Sequence, residues 1–319
     1  MQRNIKKPNI KIAYVIIVAV LFMLGSFVAA LAQFGNVEFA EPAESSEEVS
    51  AEVSEVSQEV SDTSKEPETD YLYYDDLNME SRAFANSAVV NGSLAVVNSK
   101  GGAMPVVDTG KLKSVYSVAS HKVYGLSGSG LKLYGEAIDN LDEFIVSFYD
   151  EVPSNGVIIN KAYSPYSAGG SDKEAELSTG YSLQLSIYNS KYKFSDPEFG
   201  YLRDQAYRYG VIQRYPDGKV QYTGNELDNT IYRYVGVAHS WYMNLYKYSL
   251  EEYVAEIKDK KVIEFDSQLE SGVSYVVYYV PIDDGKNTTY VSVPTNENCT
   301  YTVSGDGGFG FIVTVKITK

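Results

Sequence analysis

Apolar positions along the chain change their spacing several times, and each change marks an element. Residues 12–32 form a nearly unbroken apolar run. Over residues 134–150 the apolar positions are Ala137, Ile138, Leu141, Phe144, Ile145 and Phe148. That spacing predicts a helix with one buried stripe, leaving Glu136, Asp139, Asp142 and Glu143 on its wet face. A second helix is expected over residues 198–209, burying Phe199, Leu202, Ala206 and Tyr209. A third starts at Ser249, where Ser249 and Glu252 have the spacing of a capping box. Short apolar runs predict strands at residues 94–98 and 156–160. From residue 262 onward the pattern becomes one of alternation, with strands expected over 275–280, 289–293, 301–304 and 310–318. Helices mixed with strands, followed by strands alone, read as an α+β domain with an all-β tail. The tail either completes the preceding sheet or stands as an appended module.

The first seventy residues have a different character. Arg3, Lys6, Lys7 and Lys11 precede the apolar run, and no acidic residue does. A helix over residues 12–32 would reach about 30 Å, enough to cross the hydrocarbon core of a bilayer. The basic flank places residues 1–11 in the cytoplasm. Ala30-Leu31-Ala32 also satisfies a small-x-small cleavage rule, but the run is longer than a usual signal core, which favours an uncleaved anchor. Either reading places the rest of the chain outside the cytoplasm. Residues 33–70 are rich in Glu, Ser and Val and predict a solvated acidic linker. Residues 71–260 are then the main domain, and 261–319 the β unit.

Composition narrows the function classes. A formal charge of −15 argues against nucleic-acid partners, whose phosphates would be repelled. Cys299 is the only cysteine, so neither an intrachain disulfide nor a cysteine-based zinc site can form. Tyrosine reaches 29 residues against 12 phenylalanines, a balance that suits a cysteine-poor surface protein.

The densest set of motifs lies between residues 209 and 236. Tyr209-Gly210 is followed by Arg214-Tyr215-Pro216, a Pro216-Asp217-Gly218 turn, Lys219, Thr223-Gly224 and Arg233-Tyr234-Val235-Gly236. Pro216 presets φ and Gly218 permits a left-handed turn position, so the stretch predicts strand, turn, strand. In order and spacing it resembles the active-site half of the VanY-like zinc D-alanyl-D-alanine carboxypeptidases. That resemblance covers roughly residues 94–254 and implies a central antiparallel sheet with flanking helices, as in the Hedgehog and DD-carboxypeptidase-like folds. In the family the stretch before Arg-Tyr-Val-Gly carries a Glu as catalytic base and a His as zinc ligand. Here Asp228 stands at the Glu position and Ile231 at the His position.

The family's other two ligands lie in a Ser-x-His-x-x-Gly-x-Ala-x-Asp segment. With Gly180 setting the register, Leu177 takes the His position and Gln184 the Asp position. A family arginine that contacts substrate corresponds to Ser164, which cannot offer a carboxylate the paired charged donors of a guanidinium. Catalytic zinc needs three His, Asp, Glu or Cys ligands and an open position for water. The expectation is therefore that the family zinc, and any other cofactor, is absent, with Asp228 a relic of the base. His121 and His239 sit at no ligand position and read as surface or capping residues.

These readings lead to a membrane-anchored, extracytoplasmic carboxypeptidase-like protein without hydrolysis, acting in cell-wall binding or scaffolding. Its partners would be peptidoglycan stem peptides or cell-wall proteins, contacted through Arg214, Tyr215 and Arg233. The bland alternative for those three residues is that they pack the sheet. Two other readings stand beside this one: an active peptidase with an unconventional site, and a structural surface or adhesion protein built from the acidic linker and the β tail.

Overall fold

The computed structural model describes residues 73–99, 104–118, 123–152, 156–188 and 191–319. The apolar run at 12–32, the acidic linker and His121 lie outside these residues. Strand β1 (Met79–Ala85) comes first; β2 (Leu112–Ser114) and β4 (Lys132–Tyr134) pair antiparallel, and β3 (Gly125–Leu126) lies between them in sequence. Helix α1 (Gly135–Glu151) follows, and all six residues of the predicted apolar stripe are buried. Of the expected wet face, Glu136, Asp139 and Glu143 are exposed, while Asp142 is half-buried and accepts a hydrogen bond from the Tyr124 hydroxyl.

The stripe of α1 packs on the main sheet. That sheet contains β5 (Val157–Lys161), β6 (Ser182–Ile187), β7 (Val211–Tyr215) and β8 (Asp228–Tyr234), in the spatial order β3-β5-β6-β8-β7. Only the β3–β5 pair is parallel. Because side chains alternate across a strand, Leu183, Leu185, Val211 and Tyr232 turn toward α1 and share its core. Helix α2 (Asp172–Leu177) lies over the other face, where Arg214, Ile231 and Arg233 point. Its start is fixed by a capping box between Ser171 and Glu174. The expected helix over 198–209 is a helical turn at Pro197–Phe199, helix α3 (Gly200–Gln205) and a second tight turn at Ala206–Tyr209. Phe199, Leu202 and Ala206 are buried as expected, and Tyr209 is half-buried.

Between β7 and β8 the chain makes more than a tight turn. Gly218 takes a left-handed φ of 71°, as the Pro-Asp-Gly signal requires, and a helical turn at Val220–Thr223 then intervenes. Helices α4 (Val237–Tyr246) and α5 (Leu250–Lys260) close this half. The Ser249–Glu252 capping box forms as read: Glu252 N–H donates to Ser249 Oγ at 3.3 Å, and Ser249 N–H to Glu252 Oε2 at 2.7 Å. Ser249→Ala should lower unfolding stability by about 1 kcal/mol in urea titration, since one helix-start donor loses its acceptor.

The alternating tail forms β9 (Val262–Asp266), β10 (Val273–Pro281), β11 (Thr288–Pro294), β12 (Cys299–Gly305) and β13 (Gly310–Thr318). Four of these make an antiparallel sheet of their own in the order β12-β13-β10-β9, while β11 pairs with β1. The tail therefore does not extend the main sheet. It is joined to the preceding part by a shared core in which Ile212, Val235, Tyr253 and Ile257 pack with Ile263, Val277 and Ile312. The described residues fall within one compact unit.

Residues 94–98 are not a strand, contrary to expectation. The carbonyls of Gly92, Ser93 and Ala95 accept from the Arg233 guanidinium at 3.0–3.1 Å, and Val96 N–H donates to Asp306 O at 3.2 Å. A segment whose acceptors are gathered around one guanidinium cannot also present them at the regular spacing of a ladder.

Candidate functional site

Two arginines from the β7–β8 motif organise the face beneath α2. Arg214 and Arg233 are 1% and 0% exposed, and the Glu176 carboxylate lies between them. Glu176 Oε2 accepts from Arg214 Nε at 2.8 Å; Oε1 accepts from Arg233 Nη1 at 2.8 Å and from Ser182 Oγ at 2.5 Å. The second carboxylate on Arg214 is Glu251 of α5, with bonds of 2.7 and 3.2 Å. Burial alone would raise the Glu176 pKa; the charges of Arg233 and Arg214 outweigh it and bring it to about 2. Tyr215, also buried, lies against Arg214 and donates to Asp172 O at 3.4 Å.

The expectation that Arg214, Tyr215 and Arg233 contact a ligand is corrected by this arrangement. Their donors are directed into the protein and their surfaces are covered. Sequence reasoning missed Glu176, which ties them together. A signal was present: each arginine is flanked by aromatic or apolar residues in a strand expected to be central, and a buried guanidinium requires a carboxylate partner.

Of the positions aligned with the family's ligands, two are neighbours on the same face, and the third ends the helix laid over that face. Gln184 of β6 and Ile231 of β8 are register partners across the sheet. Leu177 ends α2, and its carbonyl accepts from the N–H of Ser164 at 3.4 Å. Leu177 and Ile231 are buried, Gln184 is half-buried and Ser164 is exposed at the rim. Asp228, at the position of the family base, pairs with Lys173 of α2. Its Oδ1 accepts from Thr230 N–H at 2.8 Å and from Thr230 Oγ1–H at 2.6 Å. Gln184 Nε2 in turn donates to Thr230 Oγ1 at 3.3 Å. Burial pushes the Asp228 pKa up, but the bonds from Lys173 and Thr230 prevail and hold it below the usual aspartate value. The corner thus brings together Gln184, Thr230, Asp228 and Lys173 in one chain of contacts, with the Asp228 carboxylate ionised and already occupied.

His239 is neither a surface nor a capping residue. It is 4% exposed, with Nδ1 2.8 Å from the Tyr253 hydroxyl and Nε2 2.9 Å from Thr314 Oγ1. Burial lowers its pKa to about 3, so the ring is neutral. It therefore links α4 to α5 and to the tail strand β13. The signal for burial was its helical spacing from Tyr242 and Met243, which are buried on the same helix.

No protein-family model matches the chain. It is 30% identical over 256 residues to a D-alanyl-D-alanine carboxypeptidase of Enterococcus faecium, a match covering 75% of this chain and 80% of that protein. Among solved structures it is similar to the vancomycin resistance D,D-dipeptidase VanXYg in complex with a D-Ala-D-Ala phosphinate analogue. That match has a TM-score of 0.59 and 22% identity over 75% of this chain and 99% of the other. A vancomycin resistance D,D-pentapeptidase VanY, in complex with Zn(II), matches at a TM-score of 0.36 and 20% identity, covering 51% of this chain and 98% of that one.

The expectation that the family zinc is absent stands against a similar protein that holds the metal: the VanY structure is a Zn(II) complex, which is a property of that protein. What the residues of this corner establish is narrower. Leu177 and Ile231 carry no donor atom, and the Gln184 amide is a weak neutral one, so these three side chains do not fit a zinc ion. Among the described residues, no group of three or more His, Cys, Asp or Glu is placed to hold a metal. No helix among them is long and apolar enough to cross a membrane.

Proposed function

The chain belongs to the D-alanyl-D-alanine carboxypeptidase family, and on that premise we propose that it recognises peptidoglycan stem peptides without hydrolysing them. The observation that carries the proposal is the filled corner: two buried apolar side chains at ligand positions, and an Asp228 carboxylate engaged by Lys173 and Thr230. A hydrolytic site needs a nucleophilic water and a base free to take its proton. Asp228 has its charge balanced and its oxygens occupied, so it is a poor proton acceptor. The basic flank and apolar run of residues 1–32 support a membrane-anchored, extracytoplasmic placement, where such peptides occur.

The test uses the full-length chain and a stem pentapeptide ending in D-Ala-D-Ala. Released D-Ala is measured with and without added Zn(II), alongside retention on purified peptidoglycan. The expected result is retention with no release above the protein-free control under either condition. Release that rises with Zn(II) would sink the non-hydrolytic reading, and absence of retention would sink the binding one.

A further inference from the structure

Among the described residues, β1 has β11 as its only partner strand. It lies in the open: Glu80, Ser81, Arg82, Ala83 and Ala85 are exposed. The segment that leads into it is held elsewhere, by β9 and β10. Tyr74 N–H donates to Glu264 Oε1 at 2.6 Å, and the Tyr74 ring meets that of Tyr278 edge-on at 5.1 Å.

Hydrogen bonds at both ends of the ladder fix which way the main chain of β1 points. Asn86 N–H donates to Asn287 O at 2.9 Å, and Thr295 N–H donates to Asn78 O at 2.8 Å. The register runs without a break from Met79 on Pro294 to Ala85 on Thr288, so the even-numbered residues of β1 are those bonded to β11. The N–H and C=O groups of Met79, Ser81 and Ala83 therefore turn outward. They have no partner among the described residues.

Such an edge is a template for another strand unless something guards it, and inward-pointing charges are a common guard. Glu80 and Arg82 share a face with the buried Val293 and Val291 of β11. Arg82 Nη2 lies 2.5 Å from Glu80 Oε1, and its guanidinium sits 5.7 Å from the centre of the Tyr301 ring. Charges of a single sign would repel a second copy of the strand. Here both signs are present two residues apart, so the register decides whether they repel or attract. Outward residues can meet only outward residues. Antiparallel pairing of two copies centred on Glu80 or on Arg82 sets like charges face to face, and pairing centred on Ala83 leaves both charges without an opposite. Centred on Ser81, it sets Glu80 against the partner's Arg82 and Arg82 against the partner's Glu80. These are the non-hydrogen-bonded positions, where facing side chains come closest.

We infer that the chain pairs with a second copy of itself through β1, antiparallel and centred on Ser81. The main-chain groups of Met79, Ser81 and Ala83 bond those of the partner's Ala83, Ser81 and Met79. The contact is reciprocal about a two-fold axis, as an isologous interface requires. It turns the ribbon of β1 and β11 into a continuous four-stranded sheet, past the roughly three strands that an independently stable sheet needs.

The experiment uses the full-length chain carrying Cys299→Ser, so that an introduced cysteine is the only one. Ser81→Cys is expected to give a disulfide-linked dimer under mild oxidation, because directly opposed residues of a hydrogen-bonded pair lie about 5.5 Å apart at Cα, within disulfide reach. Ser292→Cys, exposed on β11, should not. Added to Ser81→Cys, Glu80→Arg and Arg82→Glu should each lower the dimer yield about tenfold, since both symmetric contacts become repulsive. An equal mixture of these two variants should recover the yield, because unlike charges again face each other between chains while like charges sit within each chain. A role for Glu80 and Arg82 confined to one chain predicts no recovery. Absence of the Ser81 dimer, equal cross-linking through Ser292, indifference to charge reversal or failure of the mixture to recover would each overturn the inference. So would a monomer whose Ser81 and Ala83 amides are protected from hydrogen exchange, which would assign the edge to a segment of the same chain.

Discussion

Glu176→Gln is expected to lower unfolding stability by about 3–5 kcal/mol, read from the midpoint shift in urea at neutral pH. The substitution keeps the shape of the side chain and removes its charge. The amide oxygen can still accept from one arginine, but its NH2 then faces the other guanidinium, and no charge balances Arg233, whose remaining acceptors are main-chain carbonyls, while Arg214 keeps Glu251. Removing one partner of a buried ion pair leaves the desolvation of the other uncompensated, which is why the cost exceeds that of an exposed pair. The same carboxylate sets an acid limit. Its pKa falls from an ordinary value of 4.5 to about 2 in the folded chain, so its contribution is complete above about pH 4.5 and is lost as pH falls toward 2. The Gln variant should lack this component of the acid transition. A loss under about 1 kcal/mol at neutral pH would show that the two arginines do not depend on Glu176.

The second large effect concerns His239 and a higher pH window. Its folded pKa of about 3 lies below the ordinary 6.5, so between those values the unfolded chain binds a proton that the folded chain excludes. Stability therefore decreases as pH falls below about 6.5, by about 2 kcal/mol down to about pH 4.5, where Glu176 begins to titrate. His239→Gln should remove that slope, because an amide can still reach toward Tyr253 and Thr314 but does not take up a proton. Urea midpoints at a series of pH values measure it. An unchanged slope in the variant would place the acid sensitivity elsewhere.

These two residues also show where sequence reasoning reached its limit. The stripe of α1 and the tail strands were legible because burial on one face imposes a period, and the Ser249 cap because its partner is three positions away. The 94–98 segment misled because apolar character gives no indication of where carbonyls go; their partner Arg233 lies 140 positions from Ser93. For the corner, the substitutions at Leu177, Gln184 and Ile231 were readable, yet the contacts of Asp228 were not. Lys173 and Thr230 carry no motif of their own and matter only because α2 is laid across β8. The cofactor expectation failed for a different reason: side chains at three aligned positions describe those positions and not the metal dependence of the fold's relatives.

The pairing of β1 with β11 bears on the order in which the chain can acquire its structure. Asn86, just after β1, bonds Thr289 203 positions later, and the 92–96 segment is held by the β12–β13 end of the tail. Contacts of such long separation form slowly and only once both ends are available. During synthesis β1 must wait, its edge open, until residues 288–294 have emerged. A ribosome that stops before residue 288 releases a product that cannot close and is left to aggregation or proteolysis.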